Sequence, residues 1–363
     1  MEKVRLGFVG AGFMGQLAHL ANFAELKEKC EVIALAEPKE KLARAVAARY
    51  GIPKVYRDHR KLCEDPEVEA VVEVTTDFLH VPIALDLIEA GKHVMMEKPI
   101  ATCLEDARRA VEAARSRGVK LMVGYMKRYD PGVERAKAIL DELKDSGELG
   151  EIVFARAHCL CGNWTCNIGQ PIRTDEPTSE VRPRLPEWLD PEDARAFLGF
   201  NNVFCHNFNL LRFLAGDAEG VRFAELSGPT KVVVLDMGGY AATLELGGIS
   251  AHRWEEHTQV YFSHGWVRVD TPPPMLQQVP AEVEVYKAGK AREVVRPVPE
   301  WEWSFARQAE HFLDCILNNW EPRSSGEDAL RDMELIEETF RRFFRKPEGP
   351  PKSIWAKRRI SRG

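Results

Sequence analysis

The first fifteen residues restrict the fold more than any other part of the chain. Val4-Arg5-Leu6-Gly7-Phe8-Val9 reads as a strand, Gly10-Ala11-Gly12-Phe13-Met14-Gly15 follows, and a helical stretch runs from Gln16 to about Lys29. Glycines spaced G-x-G-x-x-G between a strand and a helix allow a tight turn. They also let the backbone approach a pyrophosphate at the helix N-terminus. Glycine-rich turns are common, so the motif draws its force from this context. Gly10, Gly12, Phe13, Met14 and Gly15 are therefore expected to line a dinucleotide.

The chain keeps alternating. Strands are expected at Glu31 to Ala36, Ile52 to Tyr56, Ala70 to Val74, Val94 to Met96 and Leu121 to Tyr125. Helices are expected between them, at about Glu40 to Tyr50, Asp58 to Cys63, His80 to Ala90 and Leu104 to Arg117. Such alternation predicts a doubly wound parallel sheet. Glu37 ends the second strand, where an acidic residue accepts bonds from adenosine ribose hydroxyls and repels a 2′-phosphate. NAD is favoured on that ground, with NADP possible because Lys39 is near. Thr75 and Thr76 fall at a strand's carboxyl end, beside the expected nicotinamide path. His80, at a helix start, is either a cap or a residue lining the cofactor.

Val94-Met95-Met96 ends abruptly in Glu97-Lys98-Pro99. Charges at the carboxyl end of a parallel strand sit where open α/β sheets place their ligands. Two readings of Lys98 stand at this point: a surface turn, or a lysine that bonds a substrate hydroxyl and moves its proton. Glu97 is grouped with it as cofactor-lining.

From Gly150 the texture changes. Ile152 to His158 alternates as a strand, and Cys159 to Trp188 is a long irregular segment of the kind that often carries function. A helix is expected over Asn201 to Ala215. Strands are expected at Val221 to Ser227, Lys231 to Asp236, Ala241 to Leu246, Ser250 to Trp254, Gln259 to Phe262, Trp266 to Val269 and Val283 to Tyr286. Turn signals between them suit an antiparallel sheet. Helices at about Trp303 to Asn318 and Gly326 to Phe344 follow, and the basic stretch after Lys346 reads as a peripheral arm. Residues 1–124 are taken as the dinucleotide domain and residues 125–363 as a substrate-binding and oligomerisation domain.

Composition excludes several classes. At 363 residues, with 45% apolar and 29% charged content, the chain has ample length for sizeable cores. A net charge of -6 with both signs interspersed gives no footprint for nucleic acid. No apolar run approaches a membrane span and no signal peptide is seen, so a cytoplasmic location is expected. The eight cysteines are scattered and read as reduced thiols. Cys159, Cys161 and Cys166 are spaced C-x-C-x4-C, unlike common paired zinc patterns, so no metal is expected.

Asn202, His206 and Asn209 are spaced i, i+4 and i+7, on one helical face. His206 reads either as a satisfied core histidine or as an acid/base group facing Lys98 across a cleft, since free imidazole titrates near neutral pH. Arg128, His158, Asn163, Trp164 and Arg173 are further candidates for the substrate pocket. Trp164 would stack on a sugar face, or else is a core or rim tryptophan.

These motifs together resemble the glucose-fructose oxidoreductase / inositol dehydrogenase / MocA family. The resemblance covers nearly the whole chain. It rests on Gly10 to Gly15, on Glu97-Lys98-Pro99, on Gly124-Tyr125-Met126-Lys127-Arg128-Tyr129-Asp130-Pro131, on Cys205 to Leu214, and on Ser325-Gly326-Glu327-Asp328-Ala329-Leu330. It implies an N-terminal Rossmann domain, a C-terminal α+β domain on a large open antiparallel sheet, NAD(P), and a sugar, polyol, sugar acid or glycoside as substrate. It also implies a homodimer or homotetramer. Lys98 carries over as the lysine at the reacting oxygen and His206 as the acid/base histidine. The family often has Asp four residues before that histidine and three after; here Asn202 and Asn209 stand there. That leaves His206 as the base, or as a hydroxyl-binding donor with Lys98 transferring the proton. Other readings are an NAD-dependent glycosidase that oxidises its sugar transiently, and a non-catalytic dinucleotide-binding regulator.

Overall fold

Short apolar runs, each ending in a polar or glycine-bearing turn, build the first sheet. The computed structural model describes residues 3–166, 169–177, 181–248, 253–288 and 292–345. Six strands, β1 (Val4–Val9), β2 (Cys30–Ala36), β3 (Lys54–Tyr56), β4 (Ala70–Glu73), β5 (His93–Met96) and β6 (Leu121–Val123), pair in parallel in the order β3-β2-β1-β4-β5-β6. The order reverses between β1 and β4, and the crevice at their carboxyl ends is where doubly wound sheets bind ligands.

Both faces of this sheet are covered. The helices of the first half are α1 (Ala21–Glu25), α2 (Glu40–Tyr50), α3 (His59–Cys63), α4 (His80–Glu89) and α5 (Leu104–Arg117). Val71, Val94 and Val123 pack with α4 and α5, through Ile83, Leu87, Ala110 and Ala114. Their neighbours Val72, Met95 and Met122 point the other way, onto Phe23 of α1 and Leu42 and Val46 of α2. This period-two division of near-continuous apolar runs is what a sheet buried on both faces requires.

The first helix departs from expectation. In place of one helix from Gln16 to Lys29, a π-helical turn, Gly15–Leu20, leads into α1, and the chain leaves helix at Leu26. Lys29 instead stands in the turn before β2, with its ammonium on Glu310 at 2.9 Å and Asp314 at 2.6 Å.

After β6 come α6 (Pro131–Ser146) and α7 (Ala194–Ala215), which starts seven residues earlier than read from sequence. The second sheet has eight strands: β7 (Ile152–Leu160), β8 (Gly220–Glu225), β9 (Lys231–Asp236), β10 (Ala241–Gly247), β11 (Glu256–Phe262), β12 (Gly265–Asp270), β13 (Glu282–Lys287) and β14 (Glu293–Val295). Their order is β14-β13-β12-β11-β7-β10-β9-β8. Every pair is antiparallel except β7 with β10, which the long connection through α7 brings side by side in parallel. β14 was not foreseen. Of the strand expected over Ser250 to Trp254, Arg253 and Trp254 lie outside any strand, and residues 250–252 fall outside the described residues, as does the basic stretch after Lys346.

The chain then returns to its first half. In α8 (Ser304–Leu317), Ala309, Phe312 and Leu313 join Phe23 on the first sheet. Val123 donates its N–H to Ser324 O at 2.8 Å, just ahead of α9 (Gly326–Phe344). Residues far apart in sequence thus brace the carboxyl ends of the first sheet's strands. Among the described residues, no helix is long and apolar enough to cross a membrane.

Candidate active site

The glycine turn follows β1, and its three glycines do different work. Gly10 has φ +94°, and a Cβ there would meet Val74 O at 2.3 Å. A Cβ on Gly15 would meet Gly10 O at 2.8 Å, so that glycine permits close helix–strand packing. At Gly12 a Cβ would meet nothing within 4 Å. Bare backbone facing open space is the cradle that a pyrophosphate needs, so the turn fits a dinucleotide. Glu37, at the end of β2, lies alongside: it accepts from Ala11 N at 2.9 Å and Lys39 N at 3.1 Å.

One cavity of about 1440 Å³ is lined by this turn and by the carboxyl ends of β4 and β5. Gly10, Gly12, Phe13, Met14, Glu37, Thr75, Thr76, His80, Glu97 and Lys98 all lie on its wall, and Gly15 lies behind it. The cavity continues to Asn202 and His206 of α7. Lys98 donates to Asn202 O at 2.9 Å, and its peptide bond to Pro99 is cis. The His206 ring stands edge-on to Tyr125 at 5.9 Å, and its Nδ1 has no hydrogen-bond partner among the described residues. Burial, and then the charges of Lys127 and Lys98, push its pKa well below the usual imidazole value. A neutral imidazole with an unpartnered Nδ1 thus shares an apolar-walled cleft with the Lys98 ammonium.

A polar layer lies beneath. Glu73, fully buried, accepts from Thr75 N at 3.0 Å and from the Thr75 hydroxyl. Burial raises its pKa, against the pull of the His80 charge and the Thr75 bonds. His80 Nδ1 donates to Pro99 O at 2.8 Å, which tethers the turn that carries Lys98.

Residues 4–125 match the sequence model of the oxidoreductase family with an NAD-binding Rossmann fold, GFO_IDH_MocA. These residues, the first third of the chain, carry that family's NAD-binding Rossmann fold. The protein is an NAD-binding oxidoreductase. Among its relatives, the uncharacterized oxidoreductase YrbE of Bacillus subtilis is 23% identical over 348 residues, 91% of each chain. Inositol 2-dehydrogenase of Pseudomonas fluorescens is 26% identical over 284 residues, 75% of each chain. The fold is shared with levoglucosan dehydrogenase solved with NADH and L-sorbose, at TM-score 0.75 and 20% identity, covering 95% of this chain and 97% of that one.

Five residues that the family pattern or residue type had suggested for the substrate lie off the cavity wall. Arg128 is buried in a network of its own: Nε donates to Asn209 Oδ1 at 2.6 Å, and a terminal nitrogen meets Asp328 at 2.7 Å. Asn209 in turn donates to Asp332 at 2.7 Å. An aspartate at 209 would be a further carboxylate against Asp328 and Asp332; the amide serves one neighbour as acceptor and the other as donor. His158 is on the outer face of β7, stacked on His257 at 4.9 Å and bonded to Glu245 at 3.1 Å. Asn163 is exposed and caps Thr165 N at 3.1 Å, and Arg173 is exposed. Trp164 is on the wall, edge-on to Phe13 at 5.6 Å, beside the glycine turn.

Other residues on the wall were not foreseen. Lys127 is paired with buried Glu256, to which Asn207 also donates at 2.8 Å. Trp254 lies against Lys127, 5.7 Å from its ammonium, with Nε1 unpartnered among the described residues. All eight cysteines are free thiols, and among the described residues no group of three or more His, Cys, Asp or Glu is arranged to hold a metal ion.

Proposed function

We propose that this chain reversibly oxidises a secondary hydroxyl on a sugar-like or polyol ring. The observation that carries this reading is a single cavity whose wall includes the glycine turn, Lys98 and His206. Its relatives named inositol 2-dehydrogenase and levoglucosan dehydrogenase support a ring hydroxyl as the reacting group.

Bound NAD supplies the hydride acceptor. Gly12 leaves room for the pyrophosphate, Thr75 and Thr76 line the path to the nicotinamide, and Glu37 takes the ribose hydroxyls, which favours NAD over NADP. Lys98 bonds the reacting oxygen and, as the uncharged amine, takes its proton while the carbon loses hydride; in the reverse direction the resulting ammonium returns that proton. His206, held neutral, bonds the same hydroxyl or its neighbour and fixes the ring. Asn202, Asn207 and Lys127, the last held by buried Glu256, offer donors and acceptors to the remaining hydroxyls. The chain assembles as a homodimer or homotetramer, which light scattering of the purified protein checks.

The test is nicotinamide absorbance with a panel of polyols, sugars, sugar acids and glycosides, given with NAD or NADP and followed by product analysis. Turnover by the wild type and none by Lys98→Ala is expected. Glycoside cleavage with no net change in nicotinamide overturns the dehydrogenase reading.

A further inference from the structure

Beneath Lys98 lies a buried pair that the chemistry above leaves unused. His19 Nε2 is 2.6 Å from Glu97 Oε1, and the two side chains are 1% and 8% exposed. The other carboxylate oxygen of Glu97 accepts from the main-chain N–H of Lys98 at 3.1 Å. One carboxylate thus joins His19 to the backbone of the residue that carries the reacting ammonium.

Both flanks are shaped for this. His19 belongs to the π-helical turn Gly15–Leu20, immediately after the glycine turn. Such turns fit an extra residue into a helix and reset which side chains face inward. On the other side, a Cβ at Gly124 would come within 3.2 Å of Glu97 Oε1, so a side chain there would press on the carboxylate. Phe305, on the cavity wall, stands edge-on to the His19 ring at 5.7 Å.

We propose that His19 is a positioning residue for Lys98, acting through Glu97. This rests on the reading of Lys98 as the lysine at the reacting oxygen. An ionised carboxylate can only accept, so His19 Nε2 carries the hydrogen. Burial alone would push the Glu97 pKa up; the His19 bond and charge, and then Lys98, outweigh it and hold it below the usual carboxylate range. Without His19, Glu97 loses the partner that fixes its rotamer and its charge. Lys98 then loses both an anchored backbone and a nearby anion.

The test compares His19→Ala, His19→Gln, Glu97→Gln and Lys98→Ala with wild type, on the substrate found by the absorbance panel. Expected is a fall in kcat of about tenfold or more for His19→Ala, with the KM for NAD unchanged within about twofold. His19→Gln, which keeps an N–H donor, recovers most of the rate. If His19→Ala does not fold, Glu97→Gln carries the test, with the same fall in kcat and unchanged KM for NAD expected. Wild-type kcat in His19→Ala, or in Glu97→Gln where that variant stands in, overturns the proposal, as does a His19→Gln no better than Ala. If Lys98→Ala is inactive in that event, the positioning role falls and the Lys98 reading stands; if Lys98→Ala turns over normally, the Lys98 reading itself falls.

Discussion

The Lys98 ammonium donates to the main-chain carbonyl of Asn202 at 2.9 Å, and lies 3.4 Å from that residue's side-chain oxygen. Lys98 follows β5 in the first sheet, whereas Asn202 lies on α7, which packs on the second. The resting position of the lysine is therefore set by the other half of the chain. An entering hydroxyl competes with the Asn202 oxygens for the same ammonium hydrogens.

Removing that ammonium should abolish turnover while sparing the cofactor. For Lys98→Ala we expect kcat lower by ~10²–10⁴-fold, the usual worth of a positioned acid/base group. Lys98→Arg should not rescue it, because a guanidinium does not release its proton at working pH. Single-turnover absorbance reads the first effect. A fluorescence titration with NADH should show binding within about twofold of wild type, since Lys98 contributes nothing to the glycine turn.

His206 makes a prediction about pH with a definite sign. Burial, then the Lys127 and Lys98 charges, hold its pKa well below 6.5. Above that lowered value the ring is neutral, and it gains a proton only as pH falls through it. Near pH 6.5, then, His206 does not change charge, although an ordinary imidazole would. The kcat/KM profiles of wild type and His206→Gln should share the same shape around that pH, the variant lying lower throughout. A wild-type limb near 6.5 that vanishes in the variant would show that His206 titrates as the base.

The first sheet was legible because its strands are buried on both faces and so read as apolar runs. Glu97-Lys98-Pro99 was legible because charge follows such a run without transition. What failed was parity. Met126-Lys127-Arg128 offers two adjacent cations, and the residue types do not say which one faces the ligand. The 3-10 turn Met126–Tyr129 sends Lys127 to the cavity and Arg128 into the interior. His158 failed in the same way: Ala155, Ala157 and Cys159 face inward along β7, which puts His158 on the opposite face. That alternation was present in the sequence and was the signal to use. His19 gave none, because the π-helical turn that points it at Glu97 shifts the helical register.

The glycines of the turn should separate stability from binding. Gly10→Ala places a Cβ 2.3 Å from Val74 O at φ +94°, so the carboxyl ends of β1 and β4 must part. A cost of about 1–3 kcal/mol is expected for such a strained position, seen as a lower thermal midpoint. Gly12→Ala meets nothing within 4 Å and should melt within about a degree of wild type. Its effect should appear instead as a higher Kd for NADH, because the added methyl stands where the pyrophosphate approaches. Equal losses of stability in the two variants would show that the space beside Gly12 is not the cofactor's.

Arg128 and Asn209, which the family pattern had pointed towards the substrate, should behave as structural residues. Arg128 Nε meets Asn209 Oδ1 at 2.6 Å, Asn209 Nδ2 meets Asp332 at 2.7 Å, and Arg212 meets the other Asp332 oxygen at 2.7 Å. Removing the Arg128 charge leaves Asp328 and Asp332 with one cation fewer in a buried setting, and breaking such a pair costs about 3–5 kcal/mol. Asn209→Ala should cost about 1–3 kcal/mol, through the two partners it leaves unsatisfied. Both variants should therefore unfold at lower urea concentration than wild type. At temperatures where they remain folded, the KM for substrate should stay within about twofold, since neither side chain reaches the cavity wall. A large rise in KM with unchanged unfolding would return Arg128 to the substrate site. The Lys127 ammonium, by contrast, is on that wall, so Lys127→Met should raise the substrate KM while leaving the KM for NAD unchanged.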